Sequence, residues 1–258
     1  MVPGDTPFWL AFILIGALMS LMLALRYLAS SALFAWITQL ARPGLYAGQE
    51  RQIAREIRYS LIAAVIYGAP TGIIYWLWWY HGWTKLYTDW NTYPLWYLPV
   101  SALIFFFVQD TWFYWTHRAM HRWPRLFRLT HALHHESRPP TAWSAMSFHP
   151  LESVSGAIVM PILVFVVPIH IAMLGFVFAV ATVQAITNHL GWEIHSHRLV
   201  HSPLGRWLIT ASHHERHHEE YRCNFGLYFR FWDRLCGTDR GLSRRMEARG
   251  SPLADPAE

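Results

Sequence analysis

The chain has 258 residues, 53% of them apolar and 16% aromatic, with only 14% charged. That balance leans towards a membrane protein, and the length allows one ordinary domain or a membrane domain with a modest cap. The net charge of +5 is nearly all arginine, with Lys85 the single lysine; the arginines flank apolar stretches, which argues for a membrane surface and against nucleic acid as partner.

Residues 8–27 are apolar, with no charge before Arg26, and about 20 such residues span the hydrocarbon core. No basic stretch or small-residue cleavage site precedes Arg26, so this run reads as a retained membrane helix and not a cleaved signal peptide. Residues 59–80 form a second uncharged run, interrupted by Gly68, Pro70 and Gly72, which membrane helices tolerate when neighbours satisfy the backbone. Residues 94–115 form a third, containing Asp110. Residues 154–188 form a longer apolar region, punctuated by Pro161 and Pro168, and read as a helical hairpin with its turn near His170. Residues 241–258 are polar, with Pro252 and Pro256, and read as a frayed tail after a single domain over 1–240.

Loop charge gives an orientation. Residues 29–58, read as a loop, carry Arg42, Arg51, Arg55 and Arg58, whereas residues 81–93 carry only Lys85. The positive-inside rule then places 29–58, 116–150 and the C-terminal part in the cytoplasm. The arginine-dominated composition suggests a GC-rich bacterial genome, hence a bacterial inner membrane.

Sixteen histidines are a large excess, and their spacing says more than their number. His117 and His121 stand four apart; His131, His134 and His135 fall at i, i+3, i+4; His214, His217 and His218 repeat that pattern. On a helix such residues share a face and aim several imidazoles at one point. His189 follows Asn188 at the inner end of the hairpin. A structural zinc closes with four ligands, so eight or nine histidines suit two ions with open positions. Imidazole alone does not choose among zinc, copper, iron and nickel. Iron explains a pair of ions at a membrane face, because two irons can share the electron load of O₂ chemistry. Cys223 and Cys236 form no CxxC pair and read as packing residues.

The motifs HxxxH (117–121), HxxHH (131–135), HPxE (149–152), NHxG (188–191) and HHxxHH (213–218) occur in this order. They are followed by Asn224-Phe225-Gly226 and by Phe231-Trp232-Asp233 leading to Gly237-Thr238. Together they resemble the fatty acid hydroxylase / sterol desaturase superfamily over roughly residues 95–240. The resemblance implies an all-α integral membrane bundle of three spanning helices plus a helical hairpin, with a cytosolic His-rich cap holding a di-metal site. It implies two iron ions bound by His117, His121, His131, His134, His135, His189, His214, His217 and His218. His213, His195 and His197 are less certain members of that set, His149 a supporting residue, and His81 and His170 bystanders on the outer side. Metal-bound histidines usually give their other N–H to a carboxylate or carbonyl. Asp110, two turns before His117, and Glu152 are the leading carboxylates for that role; Glu136, Glu193, Glu215 and Asp233 also lie near the motifs.

The resemblance further implies O₂-dependent oxidation of a lipid: a fatty acyl or ether lipid, a sterol or a carotenoid. Hydroxylation and desaturation begin with the same hydrogen abstraction and stay open. No Rossmann fingerprint, iron–sulfur pattern or haem-attachment motif is present in the sequence, so electrons are expected from a separate ferredoxin, reductase or haem protein. The competing reading is a His-rich zinc-binding membrane protein or transporter. A transporter would carry its polar ligands near the bilayer midplane, whereas these clusters lie beyond the apolar runs.

Overall fold

The computed structural model describes residues 7–248. The first helix, α1, runs Phe8–Ala41, 34 residues, about 51 Å at 1.5 Å per residue. The loop expected over 29–58 is therefore mostly helix. No Gly or Pro occurs between Gly16 and Arg42, so nothing stops α1 until Pro43-Gly44, and a short turn leads into α2, Glu50–Gly68. The arginines of 29–58 lie along helices: Arg42 caps α1, and Arg51, Arg55 and Arg58 belong to the first half of α2. After Ala69-Pro70 the chain continues as α3, Thr71–His81. The glycines of the second apolar run are contact points more than breakers. A Cβ on Gly68 would run into the backbone of Ser20, and one on Gly72 into that of Phe12.

Helix α4 spans Tyr97–Arg122. The hairpin forms as expected: α5, Pro150–Val166, and α6, Ile171–Asn188. Its turn pairs β2 (Ile169–His170) in parallel with β1 (Leu86–Tyr87). His170 lies in neither histidine group and has a structural role: its Nδ1 accepts the Ala172 N–H, capping α6, and its Nε2 lies 3.0 Å from the Thr88 carbonyl. The polar segment closes with α7 (Ala211–Glu220), α8 (Phe231–Leu235) and α9 (Arg244–Ala248). Ser243 and Met246 are buried, and the Ser243 N–H reaches Ser212, so the expected polar tail begins as a packed part of the cap. The rest of that tail, 249–258, lies outside the described residues.

Among the described residues, three stretches are long and apolar enough to cross a membrane: Phe8–Ala41, Glu50–His81 and Ile171–Asn188. Helix α4 is not among them; its inner half carries Asp110, His117, Arg118, His121 and Arg122. On α1, Trp9, Ile13, Leu14, Leu18, Leu21 and Leu25 remain exposed, a side suited to acyl chains. Phe105, Phe106, Leu163, Val164 and Val177 form the apolar core between α4, α5 and α6.

All motif histidines gather at one end of this bundle. The far end holds the Phe8–Trp76 ring contact and the β1–β2 pair. The near end is laced by polar ties. Trp192 donates to Thr38, Tyr46 to the Leu190 carbonyl, and Gln52 to the Pro139 carbonyl. The buried Glu56 carboxylate accepts Thr141 and Gln52, pinning the 137–141 segment to α2.

Candidate metal centre

Each motif is delivered by a different local device. His117 and His121 lie in the last turns of α4, one turn apart. The HxxHH motif does not sit on one regular helix, as its spacing predicts. The chain widens into a π turn over Phe127–His131, closed by the Ala132 N–H to the Phe127 carbonyl, then tightens into a 3₁₀ turn over His134–Glu136. The change of pitch between His131 and His134 separates their side chains. His189 ends α6. His214, His217 and His218 lie on α7, which stops at Tyr221, a non-glycine residue at φ 63°.

The nine expected ligands form two adjoining groups. His117, His121, His131, His135 and His217 make one; His134, His189, His214 and His218 make the other. Within each group the candidate ligand atoms all lie within 4.8 Å of one another. The groups touch, with the rings of His135 and His218 centred 4.4 Å apart. Thus His131 and His135 serve one group while His134, between them, serves the other; His217 and His214/His218 divide in the same way.

Hydrogen bonds at the outer nitrogens fix the tautomers. Nδ1 of His117, His189 and His217 donates to the carbonyls of Phe225, Ala185 and Cys223 at 2.9, 2.6 and 2.8 Å. Nδ1 of His131 donates to Glu152 Oε1 at 2.7 Å. A neutral imidazole that donates through Nδ1 has only a lone pair at Nε2. Yet Nε2 of His117 and Nε2 of His131 face each other at 2.9 Å. His189 Nε2 lies 3.1 Å from His134 Nε2 and 2.9 Å from His214 Nε2. Between His117 and His131, lone pair faces lone pair, which is repulsive unless a cation lies among them. A proton is a poor candidate: burial, and then the neighbouring imidazoles, hold His131, His134, His135, His214, His217 and His218 well below the ordinary histidine range. The donor set fits metal ions.

The remaining candidates divide. Glu152, in the first turn of α5, bonds His131, one of the expected ligands. Asp110 does not. Its Oδ1 accepts the N–H groups of Leu227, Tyr228 and Phe229 at 2.7–3.1 Å and touches none of the nine histidines. Two turns along α4 put Asp110 on the correct face but about 10 Å from His117 along the axis, too far for a carboxylate to reach its ring. Glu136 pairs with Arg55. Glu193, fully buried, accepts from Ser212 N–H and His195 Nδ1. Burial alone would raise its carboxyl; the hydrogen bonds from His195, Thr210 and Ser212 outweigh burial and hold it low. His213 belongs to neither group: its Nδ1 accepts the Thr210 N–H, closing a capping box on α7, and burial pushes it down to about 3. His195 is tied to Glu193, and the His197 ring lies tilted against His201 with centroids 4.2 Å apart, outside both groups. His149 caps α5.

Sequence reading missed three contributors. Thr210 offered a signal, the T-x-x-H spacing of a capping box. Tyr221, whose ring stacks on His135 at 4.5 Å and 25° beneath Arg138, offered none. The carbonyls of Cys223, Phe225 and Ala185 are backbone atoms and invisible to motifs.

The fatty acid hydroxylase family model matches residues 102–238, which contains all nine histidines. Among curated proteins, the chain is 29% identical over 191 residues to a Delta(7)-sterol 5(6)-desaturase of Gibberella zeae, covering 74% of this chain and 57% of that protein. It is 31% identical over 165 residues to a C-4 methylsterol oxidase of Schizosaccharomyces pombe, covering 58% and 54%. It is 28% identical over 207 residues to the lathosterol oxidase of Homo sapiens, covering 80% and 66%. The chain therefore spans between about half and two thirds of the length of these relatives. No solved structure matches it.

Proposed function

Because the chain belongs to the fatty acid hydroxylase family, we propose that it is a membrane oxidoreductase that uses two iron ions and O₂ to oxidise a C–H bond of a lipid, by hydroxylation or desaturation. One observation carries the metal reading. Nine imidazoles meet in two touching groups, and hydrogen bonds at the outer nitrogens of His117 and His131 leave their inner lone pairs facing each other. Such an arrangement is stable only around cations. When bound, two irons would supply the redox power for attack on an unactivated C–H bond.

The chain's own residues orient and enclose. Glu152 and the three carbonyls lock ring rotation and keep Nε2 of His131, His117, His189 and His217 turned inward. Burial of the cluster keeps bulk water from its ligand atoms. The site lies at the ends of apolar helices, so a lipid can reach it from the bilayer. The sterol-named relatives make a polycyclic lipid the first substrate class to try. Electrons come from a separate donor protein, and the His-rich end faces the cytoplasm.

The direct test is metal content, by elemental analysis of protein purified in mild detergent from iron-supplemented cells. The expected result is two irons per chain. Two zincs would call for iron reconstitution and an activity assay with sterol and acyl lipids. One ion or none in well-folded protein would sink the di-metal assignment.

A further inference from the structure

Residues 225–229 place five consecutive backbone N–H groups on two buried carboxylates. Asp233 Oδ1 accepts from Phe225 N–H at 2.9 Å and Asp233 Oδ2 from Gly226 N–H at 2.8 Å. Asp110 Oδ1 accepts the next three. Both carboxyl groups are fully buried. Gly226 permits the approach: a Cβ there would lie 3.1 Å from Asp233 Oδ2 and run into the Phe229 carbonyl.

The consequence follows from peptide planarity. In a trans peptide the C=O of one residue and the N–H of the next point in opposite directions. The unit joining Phe225 to Gly226 has its N–H on Asp233 and its C=O on His117 Nδ1, 2.9 Å away. Fixing one end of that plane aims the other. The chain of contacts runs from carboxylate to peptide to imidazole, with the His117 lone pair as its inner terminus. Each link polarises the next in a low-dielectric setting.

We infer that Asp233 is a positioning residue for His117: through the Phe225–Gly226 peptide it fixes that ligand's tautomer and ring angle, and so tunes one metal position and not the other. Asp110 supports it by pinning the remainder of the loop. The inference rests on the metal-centre reading above. Selectivity follows from the contacts. His117 and His217, both of the five-histidine group, lean on carbonyls of the 223–225 segment. In the four-histidine group, His189 leans instead on Ala185, and no hydrogen bond joins that group to the loop among the described residues.

The test is a cobalt(II) titration of detergent-purified apo-protein, followed by calorimetry and by the visible absorption of bound cobalt, on wild type and Asp233→Asn. An amide keeps the shape but presents one N–H₂ to a cluster of donors. The expected result is a fall of about 10- to 100-fold in affinity for one of the two ions, with a changed absorption spectrum for that ion alone. If Asp233→Asn does not fold, Thr238→Ala removes the hydroxyl that donates to Asp233 Oδ1, 2.7 Å away, and that also meets Tyr114 Oη at 3.0 Å; it is expected to weaken the same ion to a smaller degree. Unchanged binding of both ions, or equal weakening of both, overturns the assignment, since a merely structural carboxylate has no reason to prefer one position. Wild-type protein that takes up fewer than two cobalt ions would instead overturn the metal-centre reading, and this role with it.

Discussion

His213 and His214 are neighbours on α7 with different work. His214 Nε2 lies 2.9 Å from His189 Nε2 inside the four-histidine group, whereas His213 turns back to Thr210 and closes the helix start. His214→Ala is expected to lose one metal equivalent. His213→Ala is expected to keep both and to cost about 0.5–2 kcal/mol of stability, the usual worth of a cap. Elemental analysis paired with thermal melts separates the two effects; metal loss in His213→Ala would place it among the ligands after all. His170 sits at the opposite end of the fold and obeys the same logic. His170→Ala is expected to leave metal content intact while lowering the melting point through loss of the α6 cap and the tie to Thr88.

Among the elements, α1 and the α2–α3 pair pack through small residues. Gly68 meets Ser20, Gly72 meets Phe12, and Gly16 comes within 3.0 Å of the Ala69 carbonyl when given a Cβ. Close backbone approach is how helices associate where lipid removes the hydrophobic drive. Gly68→Ala is therefore expected to destabilise by about 1–3 kcal/mol through overpacking. Gly175→Ala on α6, where a Cβ meets nothing within 4 Å, is expected to be neutral or mildly stabilising. Thermal unfolding in one detergent compares them; equal melting points would show that the α1 crossing is not tight. The apolar runs and the hairpin were legible in sequence because bilayer length sets a strong pattern. The length of α1 was not, since a rule about loop charge says nothing of where a helix stops. The division of the HxxHH motif between two groups was hidden for a related reason. It depends on a π turn followed by a 3₁₀ turn, and residue spacing assumes one constant pitch.

At the scale of the whole molecule, the centre's burial sets the acid limit of the protein. His131, His134, His135, His214, His217 and His218 all titrate well below the ordinary histidine range in the fold, because burial and then mutual repulsion disfavour their cations. Their unfolded value is about 6.5. With folded values depressed, the unfolded chain binds more protons between the folded and unfolded values. The stability these groups contribute is thus fully present above about pH 6.5 and is lost as pH falls. The carboxyls of Glu152 and Asp233, both raised by burial, pull the other way, but the histidines outnumber them. Metal binding shares the sign, because ions bind only the neutral imidazoles and protons displace them. The melting point of the apo-protein is expected to fall steadily from pH 7 to pH 5. Loaded protein is expected to release both ions over the same interval, with a steeper loss of stability than the apo form. Melts and metal analysis across that range test both statements. A flat apo profile would mean that the imidazoles already carry protons at neutral pH, which would remove the repelling lone pairs on which the metal reading depends.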